Sequence, residues 1–131
     1  MGLTLDTGAL IGLERTRHHM RKVYDVAVMH DVRMTVPAVV VAEWWRAGRK
    51  EKEKERARIL RSVMVESITD HIARLAGVAL TLVPSTHTID AIVMASACQR
   101  PGEIVYTSDL DDLERLRDGV PQFSDVRVVS A

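Results

Sequence analysis

Leu3-Thr4-Leu5-Asp6-Thr7-Gly8-Ala9-Leu10 changes its period in mid-stretch. Residues 3–5 suit a short strand, and Asp6 stops it. Ala9, Leu10 and Leu13 then share one face of a helix predicted from Thr7 to Arg15. The same alternation continues along the chain. Strands are predicted at Val32–Val36, Met64–Ile68, Glu103–Thr107 and Val126–Val129. Helices are predicted at His18–His30, from Pro37 through Trp45, at Arg49–Arg61, from a Thr69 cap to about Leu80, from Thr88 to Cys98 or Gln99, and at Leu110–Arg117. Pro37 is expected at the first helical position, where its missing N–H does no harm. Five short strands joined by long helical connections predict a parallel sheet with helices on both faces. In such sheets chemistry gathers beyond the carboxyl ends of the strands, where strand order reverses. The residues to inspect are therefore the polar ones that end strands.

Those residues are carboxylates. Asp6 ends the first strand, and Asp109 follows the fourth in Val105-Tyr106-Thr107-Ser108-Asp109. Asp90 opens the helix after Pro84. Glu43 lies six residues beyond Pro37, ~9 Å along a helix axis, and interrupts an otherwise apolar stretch. Asp112 is three residues after Asp109 and can face the same way. Singly, Asp6 and Asp109 also suit N-caps, and Asp90 suits the positive end of a helix. Together in one pocket they repel one another and raise each other's pKa. A divalent cation removes that conflict. Oxygen ligands favour Mg²⁺ or Mn²⁺, and no His/Cys pattern points to zinc. His18 and His19 lack an i, i+4 partner and are expected to be a surface pair.

The chain of 131 residues is expected to form one domain, residues 1–131. With 47% apolar but only 4% aromatic residues, its core must be aliphatic. A single cysteine, Cys98, excludes an internal disulfide and is expected in the core. The longest run without Asp, Glu, Lys or Arg, Leu75 to Ile89, is shorter than the ~20 residues of a membrane span. With no basic or apolar leader at the N-terminus, a cytoplasmic location and no membrane partner are expected. The formal net charge is zero, yet eight Lys or Arg and three Glu lie between Arg46 and Arg61, a local excess of five positive charges. That segment reads equally as a solvated helix and as a surface for a phosphate backbone. A smaller basic cluster is Arg15, Arg17, Arg21 and Lys22.

Four segments in order resemble the PIN domain of VapC toxins. They are the strand with Asp6-Thr7-x-Ala9-Leu10, Glu43 with Arg46 three residues on, Asp90-Ala91-Ile92-Val93-Met94-Ala95-x-Ala97, and Thr107-x-Asp109-x-x-Asp112-Leu113. The resemblance covers essentially the whole chain. It implies a three-layer α/β/α sandwich with a central parallel sheet in the order 3-2-1-4-5. It implies a Mg²⁺- or Mn²⁺-dependent endoribonuclease leaving 5′-phosphate and 3′-hydroxyl ends, inhibited by a VapB-like antitoxin, and a homodimer. Asp6, Glu43, Asp90 and Asp109 match the four acidic positions, and Asp112 the frequent fifth metal ligand. Thr7 and Thr107 are expected to order the site, and Arg46, Arg49 and Lys50 to contact RNA. Gly8 departs from the pattern, since many relatives carry Ser there. Trp44 and Trp45, being adjacent, cannot share a helix face. One is expected in the core or a dimer contact, the other against a base or an antitoxin side chain.

Other acidic α/β readings fit less well. A non-catalytic binding module of the same fold has no need of the full acid set. A phospho-acceptor receiver wants paired acids at the first strand and a Lys after the last, and neither is present. A haloacid-dehalogenase-type phosphatase needs a second Asp two residues after the first, where Gly8 stands.

Overall fold

The computed structural model describes residues 1–131. Strand β1 (Leu3–Leu5) is followed by helices α1 (Thr7–Glu14) and α2 (His18–Met29). Strand β2 (Met34–Pro37) leads into α3 (Ala38–Ala47), a 3₁₀ turn (Lys50–Lys52) and α4 (Glu53–Arg61). Strand β3 (Met64–Glu66) precedes α5 (Asp70–Leu82) and α6 (Thr88–Ala97). Strand β4 (Ile104–Thr107), α7 (Leu110–Gly119), a 3₁₀ turn (Pro121–Phe123) and β5 (Arg127–Ser130) complete the chain.

All five strands are parallel, in the order β3-β2-β1-β4-β5. The chain steps one way from β1 to β3, then crosses back to β4 and β5. Right-handed crossovers therefore place α1 to α4 on one face of the sheet and α5 to α7 on the other. This is the three-layer sandwich with the expected strand order. Order reverses at β1, which sits between β2 and β4 with Leu5 beside Tyr106. The core is aliphatic, with Trp44 and Phe123 as its largest fully buried side chains.

Two expectations about the elements need correction. Pro37 is not the first helical residue. It is still extended, with φ −60° and ψ 140°, and it pairs with Glu66 as the last residue of β2. A strand end tolerates its missing N–H as well as a helix start does. The basic segment is not one continuous helix either. Gly48 ends α3 with ψ 153°, and the chain makes the 3₁₀ turn before α4 begins at Glu53. Nor is α4 wholly solvated, because Arg56 and Ile59 are buried. Thr69 caps α5 as expected, its Oγ1 accepting from Ile72 N at 3.1 Å. Cys98 is half-buried at the end of α6.

At the amino end of the sheet, buried Glu103 accepts through Oε2 from Thr4 Oγ1 at 2.6 Å and Arg100 Nε at 2.8 Å, and its Oε1 has only the Arg33 guanidinium, 3.8 Å away. Arg100 also reaches Glu66 at 2.6 Å, so one guanidinium ties β1, β3 and β4 together.

Candidate active site

Asp6 is placed by the strand-to-helix junction itself. Its backbone stays extended, its N–H bonds to Tyr106 O at 3.2 Å, and its Oδ1 accepts from Ala9 N at 3.0 Å as the N-cap of α1. The capping reading of Asp6 is thus correct, and the cap occupies only one of the two carboxylate oxygens. Asp109 lies two residues past β4, the adjacent strand, and its own N–H donates to Thr107 Oγ1 at 2.8 Å. Its side chain makes no capping bond to α7 and is exposed. Asp90 lies in the first turn of α6, with Ala91 and Val93 packed fully behind it. Glu43 projects from the middle of α3 and accepts a hydrogen bond from Thr7 Oγ1.

These four acids line one cavity of about 220 Å³ at the carboxyl ends of β1 and β4. Thr7, Gly8 and Ser108 add small polar or open walls, and Ile11 and Ile89 add apolar ones. The cavity lies where the topology places functional chemistry in such sheets. Asp112 is not among its lining residues. It pairs with Arg115 and faces a neighbouring shallow cavity that it shares with Asp109. Arg46, Arg49 and Lys50 also lie outside the carboxylate cavity; Arg46 is exposed in the last turn of α3.

The electrostatics distinguish this cluster from the other acids. Glu14, Glu66 and Glu103 are buried or half-buried but each has an arginine. None of Asp6, Glu43, Asp90 or Asp109 forms a salt bridge. Burial is the main cause that lifts the Asp6 carboxyl to about 6; hydrogen bonds from Thr107 and Ala9 oppose this, and Asp109 adds a smaller push upward. Burial also lifts Asp90 to about 7, reinforced by the charges of Asp109, Asp6 and Asp112. Asp90 Oδ2 is buried with no hydrogen-bond partner. An orphaned buried acceptor among repelling carboxylates is costly unless a cation or proton answers it. The donor set is all oxygen and fits a hard divalent ion. In this side-chain arrangement, however, no three of the acids stand close enough to share one ion. The Thr7 bond on Glu43 and the Arg115 pair on Asp112 each hold a carboxylate in another direction.

Ser108 escaped the sequence reading. A Cβ on Gly8 would overlap its Oγ and Cβ, so the missing side chain at position 8 makes room for the hydroxyl of residue 108. Its place between Thr107 and Asp109 was the available signal. Of the two tryptophans, Trp44 is fully buried in the core, while Trp45 lies under the Arg56 guanidinium, 4.8 Å from its ring centre.

The fold is shared with several solved structures. A chain of VapBC2 from Rickettsia felis, bound to a DNA fragment from its promoter, superposes with TM-score 0.71 at 12% identity, covering 100% of this chain and 99% of that one. A chain of a toxin–antitoxin complex from Klebsiella pneumoniae gives 0.69 at 22% identity, over 98% of this chain and 96% of that one. A chain of FitAcB from Neisseria gonorrhoeae gives 0.66 at 19%, over 96% and 95%. No curated protein matches in sequence. The sequence pattern of the PIN domain matches residues 3–119, and the chain belongs to that family.

Proposed function

We propose that this PIN domain is a Mg²⁺- or Mn²⁺-dependent endoribonuclease and the toxin of a toxin–antitoxin pair. One observation carries the catalytic part. Four carboxylates without a cationic partner line a single cavity at the switch point of the sheet, and one of them has a buried oxygen with no partner at all. Such a cluster opposes folding unless it serves binding.

Asp6, Asp90 and Asp109 would hold the ion, with Glu43 directly or through water. A divalent ion bound there supplies an acidified water and charge stabilisation for in-line attack on a phosphodiester. The chain's own residues do the rest. The α1 cap fixes Asp6 through one oxygen. Thr107 holds the backbone of Asp109 at the strand end. Thr7 restrains Glu43 through one carboxylate oxygen. Asp112 would join only by leaving Arg115. Ile11 and Ile89 keep one wall dry, which strengthens charge interactions inside.

The toxin role is supported by the likeness to chains of VapBC2, of FitAcB and of a toxin–antitoxin complex. An antitoxin of the VapB type and a homodimeric state follow from the same reading. The purified protein is expected to cut a structured RNA with Mn²⁺ and to stop in EDTA. Asp6→Asn and Asp109→Asn should abolish cleavage with unchanged circular dichroism. Cleavage by these variants at the wild-type rate overturns the assignment.

A further inference from the structure

We propose that the cavity where the carboxyl ends of α1 and α3 meet the 3₁₀ turn is a phosphate subsite for the RNA strand, with Arg15, Arg49 and Lys52 as its cations. The inference rests on the ribonuclease reading above and adds where the substrate backbone is gripped. The cavity holds about 280 Å³ and is lined by Glu14, Arg15, Ala47, Gly48, Arg49 and Lys52.

Its place along the helices comes first. Helix α1 gives Ile11 to the carboxylate cavity and Glu14 to this one; α3 gives Glu43 to the first and Ala47 to the second. The two cavities therefore lie along one seam, about one helical turn or ~6 Å apart. A stacked strand rises ~3.4 Å per nucleotide along its axis, so this spacing falls within two nucleotides. A phosphate bound here would belong to the same strand as one at the carboxylates.

Charge comes second. The carboxylate cavity repels a polyanion, so a substrate needs an opposing anchor close by. Glu14 is the only acid lining the second cavity, and Arg56 neutralises it at 2.9 Å. That leaves the three cations in excess. Arg15 and Lys52 form no salt bridge, and Arg49 has only Glu51 at 4.0 Å, with both side chains more than two-thirds exposed. By contrast Arg58, Arg74, Arg115 and Arg117 each carry an acid within their own helix. Gly48 keeps the wall open, because a side chain there would collide with the Arg56 guanidinium that closes the floor.

The test is binding of a short fluorescein-labelled RNA, kept intact by EDTA, measured by anisotropy in EDTA from about 50 to 200 mM salt. The triple variant Arg15→Gln, Arg49→Gln, Lys52→Gln should bind about tenfold or more weakly, with the slope of log K against log salt flattened by about 2. A control triple of equal charge change, Arg74→Gln, Arg117→Gln, Arg127→Gln, should stay within about twofold of wild type. In Mn²⁺ cleavage assays the first triple should raise KM more than it lowers kcat. The subsite is overturned if both triples bind alike, if wild type does not bind, or if a poly-glutamate peptide of equal charge displaces the RNA at equal concentration. That last result would mean an acidic protein segment is the true occupant. Binding in EDTA is independent of catalysis. Cleavage with indifferent triples removes only the subsite, and patch-dependent binding without cleavage removes only the nuclease reading.

Discussion

Burial and three neighbouring carboxylates hold the Asp90 carboxyl at about 7, against 3.8 for a free one. The native state therefore binds this proton more tightly than the unfolded chain does. Its stabilising effect is complete below the unfolded value, fades as pH rises from about 4 to about 7, and is gone above that. Asp6, at about 6, acts in the same direction over a narrower window. Asp90→Asn removes the titration but keeps the shape. In EDTA at pH 8 the variant should melt above wild type, by on the order of 2 kcal/mol, while losing RNA cleavage. At pH 4 the two should melt nearly together. A variant less stable than wild type at pH 8 would contradict this account of the carboxylate cluster. Gly8 offers a second residue-scale test. Gly8→Ser crowds Ser108 and should lower cleavage about tenfold or more through displaced site geometry. Adding Ser108→Gly in the same chain should recover most of the loss.

At the scale of elements, α4 is welded to α1 by a buried ion pair. Arg56 donates from one terminal nitrogen to Glu14 Oε1 and to Arg49 O, both at 2.9 Å, and its side chain is 3% exposed. Removing one partner strands the other's charge. Arg56→Ala should therefore destabilise by about 3 kcal/mol in denaturant melts. The double variant Arg56→Met, Glu14→Gln should recover much of that, since it strands neither charge. Sequence could not show this weld, because it joins residues 42 apart and because Arg56 sits in a run of solvated charges that reads as surface. The break of the basic segment at Gly48 was hidden for the same reason: the glycine makes room for Arg56 in three dimensions. The ends of α1, α2 and α5 were legible to within about two residues. Their caps and periodicity are local, and Thr69 does what its position suggested.

At the scale of the molecule, the parallel sheet and the nearness of Asp6 to Asp109 were legible because polar residues at or just past strand ends sit at one edge by topology alone. What was illegible depends on side-chain partnership. Glu103 opens a strand much as Asp6 closes one, yet the Arg100 and Arg33 guanidinium groups balance its charge, and it belongs to the framework. Only the contacts separate the paired acids from the unpaired ones. A linked prediction concerns the metal. Mn²⁺ should raise the melting temperature at pH 8, where Asp6 and Asp90 are ionised, and have little effect at pH 5, where protons compete for the same oxygens. Calorimetry with and without EDTA at both pH values checks it; an equal rise at both would place the ion elsewhere.

Strands β1 and β4 are neighbours in space, yet Thr4 and Glu103 lie 99 residues apart along the chain. During synthesis, when the amino-terminal part folds first, β1 has only β2 beside it, and Asp6 lacks its β4 neighbour until residues 104–107 have emerged from the ribosome. A nascent chain therefore holds an incomplete cleft through most of its translation. Under the proposed nuclease reading, the chemistry therefore waits until the polypeptide is nearly finished.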